Sequence, residues 1–332
     1  MKKKLLILGA VVLALALLLG GAYLYARSAK PFHTGDLTGY AVDYPYEGRE
    51  IQPMHIRDTG EFVILKFTDM HFTTGKGLRD SKILASMEAA LEQARPDLAV
   101  ITGDVLEGWN SLLFYDARGA LDALAEVFEG RKQPWAYMPG NHDNEGYLGT
   151  AEDFAAYLAA NYAYCILSNE PGLTGATQYA IPLLDAGGGT AHKLLFMDSL
   201  SYEEVENGEW WQESMKPDQV GWLAAQLMVL KEEAPAARAS VFFHFETPAL
   251  AEATEPDNWN VWSPAGNAAI DDVMRRAGNV GLLSTGHWHQ THCAFQDGMY
   301  YHVTRNPGAS VITICPTNEN PQNMYRIEEI EC

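Results

Sequence analysis

Hydrophobic and polar positions along this chain follow two rhythms. Short, mostly apolar runs at 62–67, 98–101, 135–138, 240–243 and 280–285 have the pattern of buried β-strands. Between them, apolar residues recur at helical spacing: Leu84, Met87, Leu91 and Ala94; Leu121, Leu124, Ala125 and Phe128; Trp222, Leu223 and Leu227. The spacing predicts helices over about 80–95, 116–129, 152–160, 218–231 and 265–276, the first capped by Asp80 and closed by Pro96. A looser stretch, 164–200, holds two more strands, 178–183 and 193–197, separated by Gly187-Gly188-Gly189. Segments 300–303 and 310–314 read as short antiparallel strands completing a sheet. Alternating strand and helix predict an α/β fold with parallel βαβ units and right-handed crossovers.

The N-terminal pattern is different. Residues 5–26 form an apolar run of about 22 residues, long enough to span a hydrocarbon core of about 30 Å. Lys2, Lys3 and Lys4 precede it, which favours an N-terminus held in the cytoplasm. A cleaved signal peptide is the alternative, but its apolar core is usually shorter and Leu24-Tyr25-Ala26 fits a cleavage site poorly. Residues 1–30 are therefore expected as a membrane anchor, with secretion after cleavage as the second reading. Both put the rest of the chain outside the cytoplasm. Residues 31–60, rich in Gly, Pro, Tyr and charge, read as a tether and lead-in, and 61–332 as one large domain without an internal linker.

Five short blocks carry the chemistry, most of them directly after a predicted strand: Asp69-Met70-His71, Gly103-Asp104, Gly140-Asn141-His142-Asp143, His244, and Gly286-His287-Trp288-His289. In open α/β sheets, ligands bind beyond the carboxyl ends of strands. Asp69, His71, Asp104, Asn141, His244, His287 and His289 supply enough oxygen and imidazole donors to hold two divalent cations side by side, with one carboxylate bridging them. Asp104 is the expected bridge, since Asp69 is the only other carboxylate at such a strand end. An extended chain would turn Asp69 and His71 to one side and Met70 to the other, and His287-Trp288-His289 would repeat the arrangement. Met70 and Trp288 are then core or wall residues. His33, His55, His192, His292 and His302 read as surface or turn residues. Asp143, Glu145 and Glu246 read as neighbours of the site.

The net charge of −20 repels nucleic-acid backbones, so nucleic-acid binding is not expected. An anionic substrate must then be drawn in by local positive charge. Cys165, Cys293, Cys315 and Cys332 form no CxxC pair, which argues against a thiolate zinc site. An exported location permits disulfides, and burial as small apolar residues is the plainer reading.

With these blocks in this order, the chain resembles a calcineurin-like metallophosphoesterase over roughly residues 61–305. Asn144-Glu145, Phe196-Met197-Asp198-Ser199 and Pro217-Asp218-Gln219-Val220 make it most similar to the purple acid phosphatase-like branch. The resemblance implies a four-layer α/β/β/α sandwich of two mixed sheets, with a di-metal site at the carboxyl ends of strands. It implies one metal on Asp69, His71, Asp104 and His289, and the other on Asp104, Asn141, His244 and His287. His142 matches a histidine that contacts phosphate and protonates the leaving group, and Glu107 stands where an acid orients it. The purple enzymes place a tyrosine ligand at the position of Glu107, so the metals implied are Mn, Fe or Zn without that colour. Gly108 replaces an arginine of the Ser/Thr phosphatases, and Arg305 is a weak substitute.

The expected function is an extracytoplasmic, metal-dependent phosphoric ester hydrolase. Two cations would activate a water for in-line attack, and phosphomonoesters are the favoured substrates. A phosphodiesterase or nucleotidase on the same scaffold is the alternative enzyme, and a catalytically silent, membrane-tethered binding protein the non-enzyme reading.

Overall fold

The computed structural model describes residues 9, 11–21, 32–107, 114–144, 148–204, 210–254, 267–305, 308–318 and 320–330. In chain order the strands are β1 (Phe32–Thr34), β2 (Met54–His55), β3 (Phe62–Phe67), β4 (Leu98–Thr102), β5 (Phe114–Asp116), β6 (Trp135–Met138), β7 (Cys165–Ile166), β8 (Gln178–Leu184) and β9 (Thr190–Met197). They continue as β10 (Tyr202–Glu204), β11 (Trp210–Gln212), β12 (Arg238–Phe242), β13 (Val280–Thr285), β14 (His292–Gln296), β15 (Met299–Val303), β16 (Ala309–Ile314) and β17 (Tyr325–Ile330). The longer helices are α1 (Leu78–Ala94), α2 (Ala117–Glu129), α3 (Ala151–Asn161), α4 (Pro217–Glu233) and α5 (Ala268–Ala277).

Two mixed sheets carry the site. The six-stranded sheet has the order β17-β16-β3-β4-β6-β7, with β3, β4, β6 and β7 parallel and β16 antiparallel to both its neighbours. The seven-stranded sheet has the order β14-β15-β13-β12-β9-β8-β2, and β9, β12, β13 and β15 run parallel. β8 and β14 are antiparallel to their partners β9 and β15.

Side-chain alternation decides the layers. On β3, Lys66 donates to the carbonyl of Thr285 in the other sheet, whereas the next residue, Phe67, meets the ring of Phe128 on α2 at 6.4 Å. On the second sheet, Leu194, Phe196, Phe242 and Leu282 join the core shared with the first sheet. Their chain neighbours Leu195, Met197, Val241 and Leu283 pack instead with Trp222 and Leu227 of α4 and with Ile270 and Met274 of α5. The architecture is helix, sheet, sheet, helix, as the resemblance implies. Strands buried on both faces explain the nearly unbroken apolar runs in the sequence.

Three expectations are corrected. Asp80 does not cap α1 but sits in its first turn, where Oδ2 accepts from the N–H groups of Thr73 (3.2 Å), Thr74 (3.0 Å) and Gly75 (2.9 Å) and so folds the loop after His71 onto the helix. Residues 32–60 do more than tether: β1 pairs with β5, β2 extends the seven-stranded sheet, and Leu37 and Tyr46 are buried in the main core. Their apolar side chains are spaced too irregularly to show this as a period. His192 and His302, expected at the surface, are fully buried between the sheets. His192 Nε2 lies 2.9 Å from Ser240 Oγ, and His302 Nδ1 lies 2.8 Å from Ser284 Oγ. Burial lowers their pKa values to about 3 and about 4.

Cys165, Cys293 and Cys315 carry free thiols, and Cys332 lies outside the described residues. Residues 11–21 are helical, but most of the rest of the expected span 5–26 also lies outside them. Among the described residues no helix is long and apolar enough to cross a membrane.

The Asp80 anchor gives a stability test. Asp80→Ala strands buried N–H groups and is expected to cost roughly 1–3 kcal/mol, read as a lower urea midpoint. Asp80→Asn keeps an acceptor oxygen and should lose less.

Candidate metal centre

The carboxyl ends of β3, β4, β6, β12 and β13 meet at one edge, where the two sheets face each other. The loops after them bring the seven expected ligands together. Asp69, His71 and His289 present donor atoms within 4.8 Å of one another, and so do Asp104, His244 and His287. Asp104 joins the two groups: its Oδ2 lies 3.2 Å from His244 Nε2 and 3.9 Å from His71 Nε2. Asn141 belongs to the second group, with Oδ1 3.1 Å from His244 Nε2.

These spacings fit cations. Two donors bound to one ion at about 2.1 Å stand about 3–3.5 Å apart. His71 Nε2 and His289 Nε2 are 3.2 Å apart, and His289 Nε2 is 3.2 Å from Asp69 Oδ1. Asp69 divides its oxygens: Oδ2 accepts from Thr68 Oγ1 (2.6 Å) and the His287 N–H (3.1 Å). Oδ1 is buried and makes no hydrogen bond of proper geometry, despite the nearness of His289. A buried carboxylate oxygen left this way is what a cation would complete. His244 Nδ1 lies 2.8 Å from the Thr102 carbonyl, which it can only meet as a donor, so Nε2 is the nitrogen that faces the site.

The backbone corrects the extended-chain expectation. Asp69 (φ 55°), His71 (φ 50°), Asp104 (φ 50°), His287 (φ 70°) and His289 (φ 55°) are all left-handed. Such a conformation costs about 1–2 kcal/mol for an L-residue. Asp69 and His71 still share the site and Met70 is buried in the core, but left-handed turns, not strand alternation, aim them. The motif glycines permit close contact between loops. A Cβ on Gly103 would lie 2.6 Å from the Gly140 Cα, and one on Gly140 2.5 Å from the Asp104 nitrogen.

Charge is finely balanced in the polypeptide's own field. Burial would raise the Asp104 carboxyl, but the charge of His244 and its hydrogen bond hold it far below the usual range. Burial would lower His244, yet Asp104 raises it to about 10. Burial, then the charge of Asp104, pushes Asp143 up to about 7. Asp143 accepts from the N–H groups of Leu106 and Gly140, both at 2.9 Å, and so ties the Asp104 and Asn141 loops together behind the site.

His142 lies beside the cluster, with Nε2 3.9 Å from Asp104 Oδ2 and its N–H donating to Asp104 Oδ1 at 2.9 Å. Glu107 is half-buried on the loop after Asp104, and its N–H donates to the Phe72 carbonyl. Arg305 is half-buried near Gly308, while Gly108 and Glu145 lie outside the described residues. Sequence reasoning missed Arg79, whose guanidinium donates to the carbonyls of His71 (2.6 Å) and Met70 (3.1 Å), and Tyr202, whose Oη is 3.5 Å from His287 Nε2. Neither is a typical donor in a five-block pattern, so nothing in the sequence marked them.

The calcineurin-like phosphoesterase family model matches residues 62–291, and the chain belongs to that family. It is 34% identical over 113 residues to the probable inactive purple acid phosphatase 28 of Arabidopsis thaliana, covering 30% of this chain and 28% of that protein. It is 33% identical over 110 residues to the phosphatase DCR2 of Saccharomyces cerevisiae, covering 29% of this chain and 18% of that protein. The chain thus spans less than a third of the length of these curated relatives. A dimetal phosphatase from Danio rerio shares the fold with a TM-score of 0.51 at 15% identity, over 76% of this chain and 95% of that one. A putative 5'-nucleotidase from Staphylococcus aureus does so with 0.50 at 16%, over 82% and 53%.

Asp104→Asn removes the charge shared by both groups. The variant is expected to lose at least one of two cations in metal analysis, together with most hydrolytic activity. Full metal content with an unchanged rate would remove Asp104 as the bridge.

Proposed function

We propose that the protein is a di-metal hydrolase of phosphate esters, with phosphomonoesters preferred, working outside the cytoplasm and attached to a membrane. The observation that carries the catalytic reading is the convergence of the whole donor set, with Asp104 between two ligand groups and His142 alongside. Asp69, His71, Asp104 and His289 would hold one cation, and Asp104, Asn141, His244 and His287 the other, with Mn, Fe or Zn suiting such donors. When bound, the cations would lower the pKa of a water and neutralise charge on the phosphoryl oxygens. A relative's name includes the word inactive. The complete donor set supports activity in this chain.

His142 is the proposed general acid. Its side chain is 27% exposed, so a substrate can reach it, and its backbone bond to Asp104 fixes its place beside the cluster. Water attacks phosphorus in line as the bond to the departing alcohol breaks; His142 gives a ring proton to that oxygen, and the proton given up by the attacking water passes to solvent, from which His142 is reprotonated. Glu107 is proposed to orient His142. No seryl or cysteinyl nucleophile enters.

The proposed location rests on the apolar N-terminal run. The described part, 11–21, is a helix whose Val12, Leu13, Leu17, Leu18 and Leu19 are all more than half exposed, a surface that favours lipid over water.

Turnover of an aryl phosphate against its bis-ester tests the main reading. The monoester should be hydrolysed faster, chelation should abolish the rate, and faster cleavage of the bis-ester would make the protein a phosphodiesterase. His142→Ala should keep its metals and slow hydrolysis by a factor of ~10²–10⁴, less for substrates with good leaving groups. An equal loss for good and poor leaving groups would assign His142 to phosphate binding.

The anchor is tested by washing membranes in high salt. Hydrophobic attachment should survive, because salt screens charge alone. A mature N-terminus near residue 27–30 in culture fluid would show a cleaved signal instead.

A further inference from the structure

One segment outside the five blocks touches the loops of three candidate ligands. Residues 198–202 follow β9, which lies beside β12 and runs parallel to it, so they emerge at the edge that carries the metal centre. Ser199 Oγ accepts the N–H of Phe245, next to His244, at 3.0 Å. Ser201 Oγ donates to the Asn141 carbonyl at 3.1 Å. Tyr202 places its Oη 3.5 Å from His287 Nε2, while its ring packs edge-on against Phe245 at 5.5 Å between centroids. Asn141, His244 and His287 are the ligands that the second cation does not share with the first.

The segment is itself tightly held. Asp198, buried at its start, accepts from the N–H groups of Ala176 and Leu200, both at 2.7 Å, and its carbonyl accepts from Gln219 Nε2 at 2.7 Å. Its own N–H donates to the Thr177 carbonyl at 2.8 Å. Leu200 is left-handed, with φ 66°, a conformation that a large apolar residue keeps only when its surroundings impose it. A rigid strap of this kind has a purpose if what it touches must stay in place. The loops after β6, β12 and β13 come from both sheets, and strap contacts reach all three.

We infer that residues 198–202 are a positioning strap for the second metal, with Ser201 and Tyr202 setting the placement of Asn141 and His287. This rests on the di-metal reading above and adds an asymmetry to it. The strap supports the second cation, whereas Arg79 braces the carbonyls of Met70 and His71 in the first group. Partners that orient metal ligands commonly change affinity by ~10–100-fold when removed.

The test is titration of the metal-free full chain with Zn²⁺, followed by calorimetry and metal analysis. Wild type should take up two ions. Ser201→Ala combined with Tyr202→Phe should keep one ion at wild-type affinity and bind the other ~10–100-fold more weakly. Hydrolysis should fall at limiting Zn²⁺ and return at excess, Ser201→Thr should restore uptake, and the melting point of the metal-free protein should not move. Equal weakening of both ions, unchanged uptake of both, or a lowered melting point that accounts for the loss would overturn the strap. A wild-type chain that takes up no Zn²⁺, Mn²⁺ or Fe²⁺ overturns the di-metal reading itself, a failure visible before any variant is compared.

Discussion

A carboxylate buried away from water must find opposite charge or give up its own. Asp69 and Asp104 are both fully enclosed where the sheets meet, close enough for each to resist the other's ionisation. The edge of the molecule is organised around that problem. Four histidines and an asparagine turn toward the pair, His244 is protonated well above its ordinary range, and Asp143 behind it is pushed toward neutrality. In the polypeptide alone, protons carry the compensating charge. Cations would take over that work and free the imidazoles to act as ligands.

Loop geometry is the other half of the solution. Left-handed backbone at five candidate ligands, together with contact between Gly103 and Gly140 that leaves no room for a Cβ, packs several strand ends into a small volume. Such conformations persist where surrounding structure imposes them, and here the thick double sheet does so. Five of the nine left-handed non-glycine residues among the described residues are these candidate ligands.

Much of this was legible in the sequence. Strands buried on both faces give unbroken apolar runs, and β3, β6 and β13 were placed from that signal to the residue. The candidate donors were legible because metal chemistry restricts residue type, and Asp, Asn and His after strands are a narrow pattern. What escaped has a common cause. Asp80, Arg79 and Ser201 act by hydrogen bonds to loop backbone groups, near in sequence for the first two and distant for Ser201, and such bonds leave no periodicity. The direction of the Asp69 and His71 side chains was inferred correctly from the wrong backbone, since a left-handed turn can bring side chains together as alternation does. His192 and His302 were misplaced because isolated histidines on strands read as polar, whereas the strands that carry them belong to the second sheet and are covered by the first.

That second sheet meets the first across more than hydrocarbon. His192, Ser240 and Tyr325 form one polar cluster between the sheets, and Ser284, His302, Glu329 and Ser310 another, with Lys66 reaching the end of β13. Oily faces tolerate sliding, because one methyl contact replaces another at little cost. Directional bonds do not, since a small displacement leaves a buried partner unmatched. The polar seam therefore works as a lock on the offset between the sheets. Asp69 and Asp104 ride on one sheet, His244 and His287 on the other, and the span between the two candidate donor groups is set by groups in the interior outside both of them.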